Sequence, residues 1–190
     1  MQTLKKPLIL IVDDTPKNLQ VLSSILHDKG YNISISTSGG QALETVNTEA
    51  PDLILLDILM PVLDGFETLK ALKLKPKEKN IPVIFLTAII DPEKILQGFE
   101  LGAVDYITKP FNIPELTARV ATHLEIKRSR EQLVELNATK EKLFSIISHD
   151  LKNSLGGVLS LSKILLEKIE EYKKKKTKDL VSHIYDSSKG

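Results

Sequence analysis

The feature that most constrains the fold is a series of short strand-like segments that alternate with helical segments. Leu8–Val12, Asp52–Asp57 and Ile81–Thr87 are largely apolar runs of the length expected for strands buried on both faces. Tyr31–Ser36 alternates like a half-exposed strand, and Val104–Thr108 is a last short strand. The sequence therefore predicts five strands within the first 110 or so residues.

Helical patterns separate the strands. The first begins at Thr15-Pro16, an N-cap followed by a first-turn proline, and ends at Gly30. The other predicted helices are Gln41–Glu49, Asp64–Leu74, Pro92–Leu101 and a long helical region from Pro114 onward. Five β–α units in series predict an α/β fold with a parallel sheet covered by helices on both faces. Ligands of such sheets bind beyond the carboxyl ends of the strands.

Polar side chains follow these strand ends. They are Asp13, Asp14, Asp57, Thr87 and Lys109. A lone aspartate in such a position is usually a helix cap, and a lone lysine is usually a surface charge. Their joint occurrence at successive strand ends instead indicates a functional site.

Three converging carboxylates repel one another unless a cation lies between them, and an oxygen-only site of this kind suits Mg²⁺. We expect Asp14 and Asp57 to ligate the metal directly and Asp13 to act through water. A backbone carbonyl near Leu59 would complete the set. A phosphoryl group on an aspartate also needs a neighbouring ammonium and a hydroxyl, which Lys109 and Thr87 supply.

Four segments closely resemble the signature blocks of the two-component response-regulator receiver family. They are LILIVDDTPKNLQVL, LILLDILMPVLDGFE, IPVIFLTA and DYITKPF. The resemblance covers residues 7–125 and implies a five-stranded, doubly wound parallel sheet of the flavodoxin-like order 2-1-3-4-5. It also implies a phosphodonor histidine kinase or phosphotransfer protein as partner.

The resemblance assigns roles residue by residue. Asp57 matches the phosphorylated aspartate, and Asp13 and Asp14 match the acid pair that holds Mg²⁺. Lys109 matches the phosphate-binding lysine.

Three further positions match the family's switch. Thr87 corresponds to the switch hydroxyl, and Pro110 to the proline whose preceding peptide bond is usually cis. Tyr106 corresponds to the aromatic residue that rotates inward on phosphorylation. The alternative is that Tyr106 is an ordinary half-buried tyrosine.

Beyond the receiver-like region, apolar residues follow the 3-4 spacing of a short coiled coil over residues 126–148. They are Ile126, Leu133, Leu136, Leu143 and Ile147. We expect a parallel homodimer through this segment; the alternative is one long helix that packs back on the receiver. Gly156-Gly157 and Lys173–Lys176 predict interruptions, and hence a helical hairpin.

The stretch KLFSIISHDLKNSLGGVLSLSKILLEK resembles the phospho-accepting helix of the histidine-kinase dimerisation domain, over residues 138–190. The matching residues are His149, Asp150 and Asn153. An exposed imidazole is a good phosphoryl nucleophile, and a neighbouring carboxylate can hold its tautomer or accept its proton. Asn153 would orient a water for dephosphorylation. Two departures are Ser154, where the family commonly has proline, and an incomplete second helix.

The chain contains no Asn-rich or Gly-rich box of an ATP-binding kinase domain, so it is not expected to make phosphohistidine from ATP by itself. Whether the chain has another enzymatic activity is left open. It resembles the N-terminal piece of a hybrid sensor histidine kinase. With no cysteine and no apolar run long enough to cross a bilayer, a cytoplasmic location without a membrane segment is expected.

Other functions fit the sequence less well. Residues 126–190 carry 14 basic and 9 acidic residues, net +5, but no DNA-binding pattern accompanies this excess, so no nucleic-acid partner is expected. A haloacid-dehalogenase-like phosphatase would need an aspartate two residues after Asp57, where Leu59 stands. The remaining alternative is a dimerising assembly module in which phosphorylation is secondary.

Overall fold

The computed structural model describes residues 6–74, 80–88 and 91–187. The chain divides into two compact units, residues 1–132 and 133–190. The first unit contains a five-stranded sheet in the order β2-β1-β3-β4-β5, and every strand pair within it is parallel. The strands are β1 (Leu8–Val12), β2 (Asn32–Ser36), β3 (Leu53–Asp57), β4 (Val83–Thr87) and β5 (Asp105–Thr108). The predicted fold class is confirmed.

Helices follow the strands, and every one except the first begins after a residue whose side chain accepts a hydrogen bond from the first turn. The helices are α1 (Pro16–Asp28), α2 (Gly39–Thr48), α3 (Gly65–Lys73), α4 (Pro92–Glu100) and α5 (Ile113–Ser187). The α3 start is a capping box, in which the Asp64 side chain accepts from the Glu67 backbone N–H and the Glu67 side chain reaches back to Asp64. These bounds lie within two residues of the predicted ones, except that α5 is unbroken.

The two faces of the sheet form separate cores because side chains alternate along each strand. On one face, Ile9, Ile11 and their neighbours pack against α1 and the first turns of α5. On the other, Leu10, Val12 and Phe85 pack with buried residues of α2 and α3. Gly98 of α4 also lies against the Phe85 ring, where an added Cβ would approach it to 3.0 Å. The central strands β1, β3 and β4 are buried on both faces, as their continuous apolar sequences predict.

Within the described residues, the second unit is the part of α5 from residue 133 onward. The helix continues through Gly156, Gly157 and Lys173–Lys176, so no hairpin forms within the described residues, contrary to the expected interruptions. Each helical glycine costs only about 1 kcal/mol relative to alanine, and Glu170 and Glu171 stand four residues before Lys174 and Lys175, a favourable spacing. Residues 188–190 of the kinase-like region lie outside the described residues.

This part of α5 buries none of the side chains whose exposure the structure describes. Its exposed apolar residues include Leu133, Leu136, Leu143, Phe144, Ile147, Leu151, Leu155, Val158, Leu165 and Ile169. Among the described residues, none of the helices combines the length and the hydropathy that crossing a bilayer requires.

Candidate functional site

The carboxyl ends of β1, β3 and β5 bring three predicted site residues into contact. Lys109, just after β5, donates from Nζ to Asp13 Oδ2 at 2.8 Å and to Asp57 Oδ2 at 2.7 Å. Asp13 is fully buried and Asp57 is 4% exposed. Because β1 and β3 are neighbours in the sheet, residues 44 positions apart in sequence share one ammonium group.

The carboxylate of Asp13 accepts further hydrogen bonds from the start of α1. Asp13 Oδ1 accepts from the Thr15 backbone N–H at 2.9 Å. The Asn18 side-chain amide lies 3.0 and 2.9 Å from Oδ1 and Oδ2 of Asp13. Asp14, in contrast, is exposed, and the hydroxyl of Thr15 donates to it at 3.3 Å.

Asp13, Asp14 and Asp57 fit a divalent cation of the Mg²⁺ type. One carboxylate oxygen from each residue lies within 4.8 Å of the others. All three donors are hard oxygens, and such sites commonly use one or two carboxylates with water and phosphate. The Leu59 backbone N–H donates to Asp57 Oδ1 at 3.2 Å, which keeps the segment that bears the predicted carbonyl ligand close to Asp57.

Burial and the contacts of Lys109 shift the charged groups of this pocket in opposite directions. Burial raises the pKa of the Asp57 carboxyl above its ordinary value; hydrogen bonding and attraction from Lys109 reduce that rise, and the Asp13 charge adds to it. Burial alone would lower the pKa of Lys109, but its hydrogen bonds to Asp13 and Asp57 raise it above the ordinary value. Lys109 is therefore held charged between the two carboxylates.

The segment after β3 turns back sharply toward the strand it leaves. The Gly65 backbone N–H donates to the Ile58 carbonyl at 2.9 Å. A Cβ at Gly65 would overlap the Asp57 carbonyl oxygen and lie 2.8 Å from Ile58 Cα, so only glycine fits there. Val62, which is fully exposed, has a φ of 69°, a left-handed conformation uncommon for a β-branched residue.

The predicted switch residues lie on β4 and β5. Thr87 ends β4 beside β3 and is 1% exposed; its carbonyl accepts from the Lys109 backbone N–H at 2.7 Å. Tyr106 is partly exposed, and its ring packs edge-on to Phe99 with centroids 6.2 Å apart. The Lys109–Pro110 peptide bond is cis.

Two charged contacts were missed by the sequence reasoning. On α5, Arg119 and His123 contact the two carboxylate oxygens of Asp105 at 2.6 and 3.1 Å. Just before the amino end of β3, Lys127 donates to Asp52 at 2.6 Å, and the same carboxylate accepts from the Leu8 backbone N–H. Arg119 and His123 stand four positions apart, so they lie on the same face of the helix. That spacing is the sequence feature from which a shared acidic partner could have been predicted.

The second predicted phosphoacceptor lies in the other unit. The His149 side chain is 73% exposed. Its Nδ1 lies 3.3 Å from Asp150 Oδ1, and the Asn153 amide nitrogen lies 3.3 Å from each ring nitrogen. The three residues that resemble the kinase motif are therefore neighbours on one exposed stretch of α5.

Comparison with known proteins agrees with this fold. Residues 9–121 match the response regulator receiver domain family. That region covers more than half of the chain, and the chain belongs to this family.

Similar curated proteins contain the receiver as part of a longer chain. The probable cyclic di-GMP phosphodiesterase of Vibrio cholerae is 47% identical over 72% of this chain, which spans 31% of that protein. The response regulator PleD of Caulobacter vibrioides is 36% identical over 78% of this chain, which spans 33% of PleD. The DNA-binding response regulator MtrA of Mycolicibacterium smegmatis is 32% identical over 81% of this chain, which spans 65% of MtrA.

Solved receiver structures are similar in both fold and sequence. A putative response regulator from Chloroflexus aurantiacus has a TM-score of 0.61 and 36% identity, covering 64% of this chain and 99% of its own. The receiver domain of a signal transduction histidine kinase from Syntrophus aciditrophicus has a TM-score of 0.59 and 38% identity, covering 63% of this chain and 90% of its own.

Proposed function

We propose that Asp57 is the phosphoacceptor of a two-component phosphorelay and that it is phosphorylated in the presence of Mg²⁺. The observation that carries this proposal is the contact of one ammonium, Lys109, with two buried carboxylates, Asp13 and Asp57. Without the Lys109 ammonium, the negative charge of Asp13 beside that of Asp57 would be unfavourable. A pocket that gathers carboxylates around a cation is suited to receive a phosphoryl group.

The reaction needs few groups. A carboxylate oxygen of Asp57 attacks the phosphorus atom of the donor; a new P–O bond forms while the bond to the leaving group breaks, and the donor departs with its electron pair. Lys109 offers its ammonium to the oxygens of the incoming group, and the Thr87 hydroxyl offers a hydrogen bond. Little covalent chemistry is required beyond placing these groups.

Asp14 and Asp57 would hold Mg²⁺ directly, with the Leu59 carbonyl, and Asp13 would act through water. When bound, the ion neutralises charge on the phosphoryl oxygens. The exposure of Asp14 supports its role, because a direct ligand must face the side from which the donor enters. Thr87, Tyr106 and Pro110 would form the switch that reports the modification.

Phosphorylation by acetyl phosphate tests the proposal. With Mg²⁺ the intact mass should rise by one phosphoryl group, and chelation of the metal should prevent the increase. Asp57→Asn should abolish it, whereas Asp64→Asn, a change in the nearby cap of α3, should not. Modification of Asp57→Asn at the wild-type level would contradict the assignment.

We further propose that residues 7–125 form the receiver, residues 126–148 a coiled-coil linker, and residues 138–190 part of a kinase-like dimerisation region. The continuous exposed apolar surface of α5 from residue 133 supports association with a second copy. At about 3.6 residues per turn, His149 lies roughly opposite Ile147, Leu151 and Val158. Dimerisation through those residues would leave the imidazole accessible.

His149 would then be a second phosphoacceptor, with Asp150 holding its tautomer or taking its proton and Asn153 orienting a water. A histidine-kinase ATP-binding domain supplied in trans should produce acid-labile, base-stable phosphate on the chain. His149→Gln should remove that label, and Asp57→Asn should spare it. Absence of label on the wild-type chain, under conditions in which the ATP-binding domain labels a known histidine substrate, would contradict this role.

The phosphodonor would be a histidine kinase or a phosphotransfer protein, and the receiver would regulate whatever module it is joined to. The alternative function is a dimerising assembly module in which phosphorylation is secondary. The two are separated by measuring dimerisation of the wild type and of Asp57→Asn, each with and without acetyl phosphate and Mg²⁺. If the extent of dimerisation is the same in all four samples, the assembly module is favoured.

A further inference from the structure

Asn18 contacts the acidic pocket without belonging to the predicted site. It is the third residue of α1 and is partly buried. Its side-chain amide nitrogen lies 3.0 Å from Oδ1 and 2.9 Å from Oδ2 of Asp13. The amide therefore faces both oxygens of the most buried carboxylate of the site.

The carboxylate of Asp13 is nearly saturated by these contacts. A carboxylate offers about four lone-pair positions. The Thr15 N–H and the Asn18 amide approach Oδ1, and the Asn18 amide and the Lys109 ammonium approach Oδ2. Little acceptor capacity is left for a metal. Asp14, which has one long hydrogen bond from a hydroxyl, keeps its capacity.

We propose that Asn18 is a positioning residue of the magnesium site. Its amide fixes the plane of the Asp13 carboxylate toward Lys109, so that Asp13 acts through water and direct coordination falls to Asp14 and Asp57. This inference rests on the proposed Mg²⁺-dependent function. Outer groups that orient ligands typically change metal affinity by about 10- to 100-fold when they are removed.

A purely structural role for Asn18 is the competing explanation. The N-cap residue Thr15 makes no side-chain cap hydrogen bond, so the start of α1 is tied to Asp13 through the Thr15 backbone and Asn18. A structural role would lower stability without moving metal affinity. The experiment must therefore measure metal binding apart from folding and apart from the chemical step.

The test compares Asn18→Leu, a near-isosteric change that removes the amide, with Gln20→Leu at an exposed position of the same helix. Mg²⁺ binding to the full chain is measured by calorimetry, and amide signals of β1 and β3 report folding. We expect the dissociation constant of Asn18→Leu to rise about tenfold or more and that of Gln20→Leu to stay within about twofold of the wild type. If Asn18→Leu does not fold, the smaller Asn18→Ala replaces it with the same criteria.

A kinetic measurement separates positioning from phosphoryl chemistry. In acetyl phosphate reactions, the Mg²⁺ concentration at half-maximal rate should rise about tenfold in Asn18→Leu, while the rate at saturating Mg²⁺ stays close to that of the wild type. An unchanged dissociation constant, an equal loss in Gln20→Leu, or a lower maximal rate at unchanged half-saturation would each overturn the inference while leaving the proposed function intact. A wild-type chain that binds no Mg²⁺ would contradict both.

Discussion

Lys109 stands between the buried carboxylates of Asp13 and Asp57. Removing the charge of Lys109 and removing the charge of Asp57 should therefore change the stability in opposite directions. In the absence of Mg²⁺, Asp57→Asn should raise the free energy of unfolding at neutral pH, because the raised pKa of Asp57 means that folding disfavours its ionised form. Lys109→Met should lower it by about 3 kcal/mol, since Asp13 and Asp57 would lose their shared cation.

Urea titration followed through the amide signals of β1 and β3 measures both effects within the first unit. The expected order of stability is Asp57→Asn above wild type and wild type above Lys109→Met. Equal destabilisation by the two variants would contradict this account of the pocket.

Asp105 gives a pH-dependent prediction. Burial alone would raise its pKa, but hydrogen bonds from Arg119, His123 and the Tyr106 backbone bring the pKa below the ordinary value of 3.8. Because the folded pKa is depressed, this stabilisation is present above the unfolded value and is lost as the pH falls through the folded value. Arg119 is 37% exposed, which screens its share of the interaction.

Asp105→Asn should therefore lower the free energy of unfolding by about 1 kcal/mol near pH 7. The difference from the wild type should shrink as the pH is lowered below 3.8. Denaturant titrations at several pH values measure the gap. A gap that stays constant down to the lowest pH at which the wild type is folded would show that the carboxylate contacts do not stabilise the unit.

At the scale of secondary-structure elements, the approach of α3 to β3 depends on Gly65. Gly65→Ala should lower the free energy of unfolding by about 2 kcal/mol, because the added methyl group meets backbone atoms of Asp57 and Ile58 that cannot move without shifting the strand end. Gly40→Ala in α2 is the matched control, since a Cβ there has no neighbour within 4 Å. It should be neutral or stabilising by up to about 1 kcal/mol. Calorimetric unfolding of both variants checks this pair, and an equal response would contradict it.

The elements and the central site were predictable because their signals are local. The central strands β1, β3 and β4 are largely apolar runs, and each ends at or just before a polar residue of the predicted pocket. The contact of Asn18 with Asp13 was not predicted. An asparagine in the first turn of a helix is common, so its presence alone does not indicate a contact with the site. The pairing of Lys127 with Asp52 spans 75 positions, and no local pattern reports such a contact.

The continuity of α5 was also not predicted. Paired glycines and a lysine run lower helix stability locally, but flanking glutamates and good helix formers outweigh them in this structure. The contacts of His149 follow directly from helical spacing, since Asn153 is one turn further on.

At the scale of the whole molecule, the apolar surface of α5 leads to a prediction about assembly. Leu136 and Leu143 are 64% and 56% exposed in the single chain, and burying such side chains contributes about 1.5–3 kcal/mol each. We expect the wild type to be a dimer and the double variant Leu136→Asp, Leu143→Asp to be a monomer with its receiver folded. Sedimentation equilibrium measures the mass, and Lys142→Asp, Lys152→Asp is a control on the same stretch of helix. A monomeric wild type at high micromolar concentration would contradict this.

The central claim is that the acyl phosphate forms on Asp57, and the most direct test identifies the modified residue chemically. The chain is incubated with acetyl phosphate and Mg²⁺, reduced with borohydride, digested and sequenced by mass spectrometry. Because borohydride converts an aspartyl phosphate into homoserine, we predict homoserine at position 57 and unmodified aspartate at positions 13 and 14. Homoserine at position 13 or 14, or at none of the three, would contradict the account.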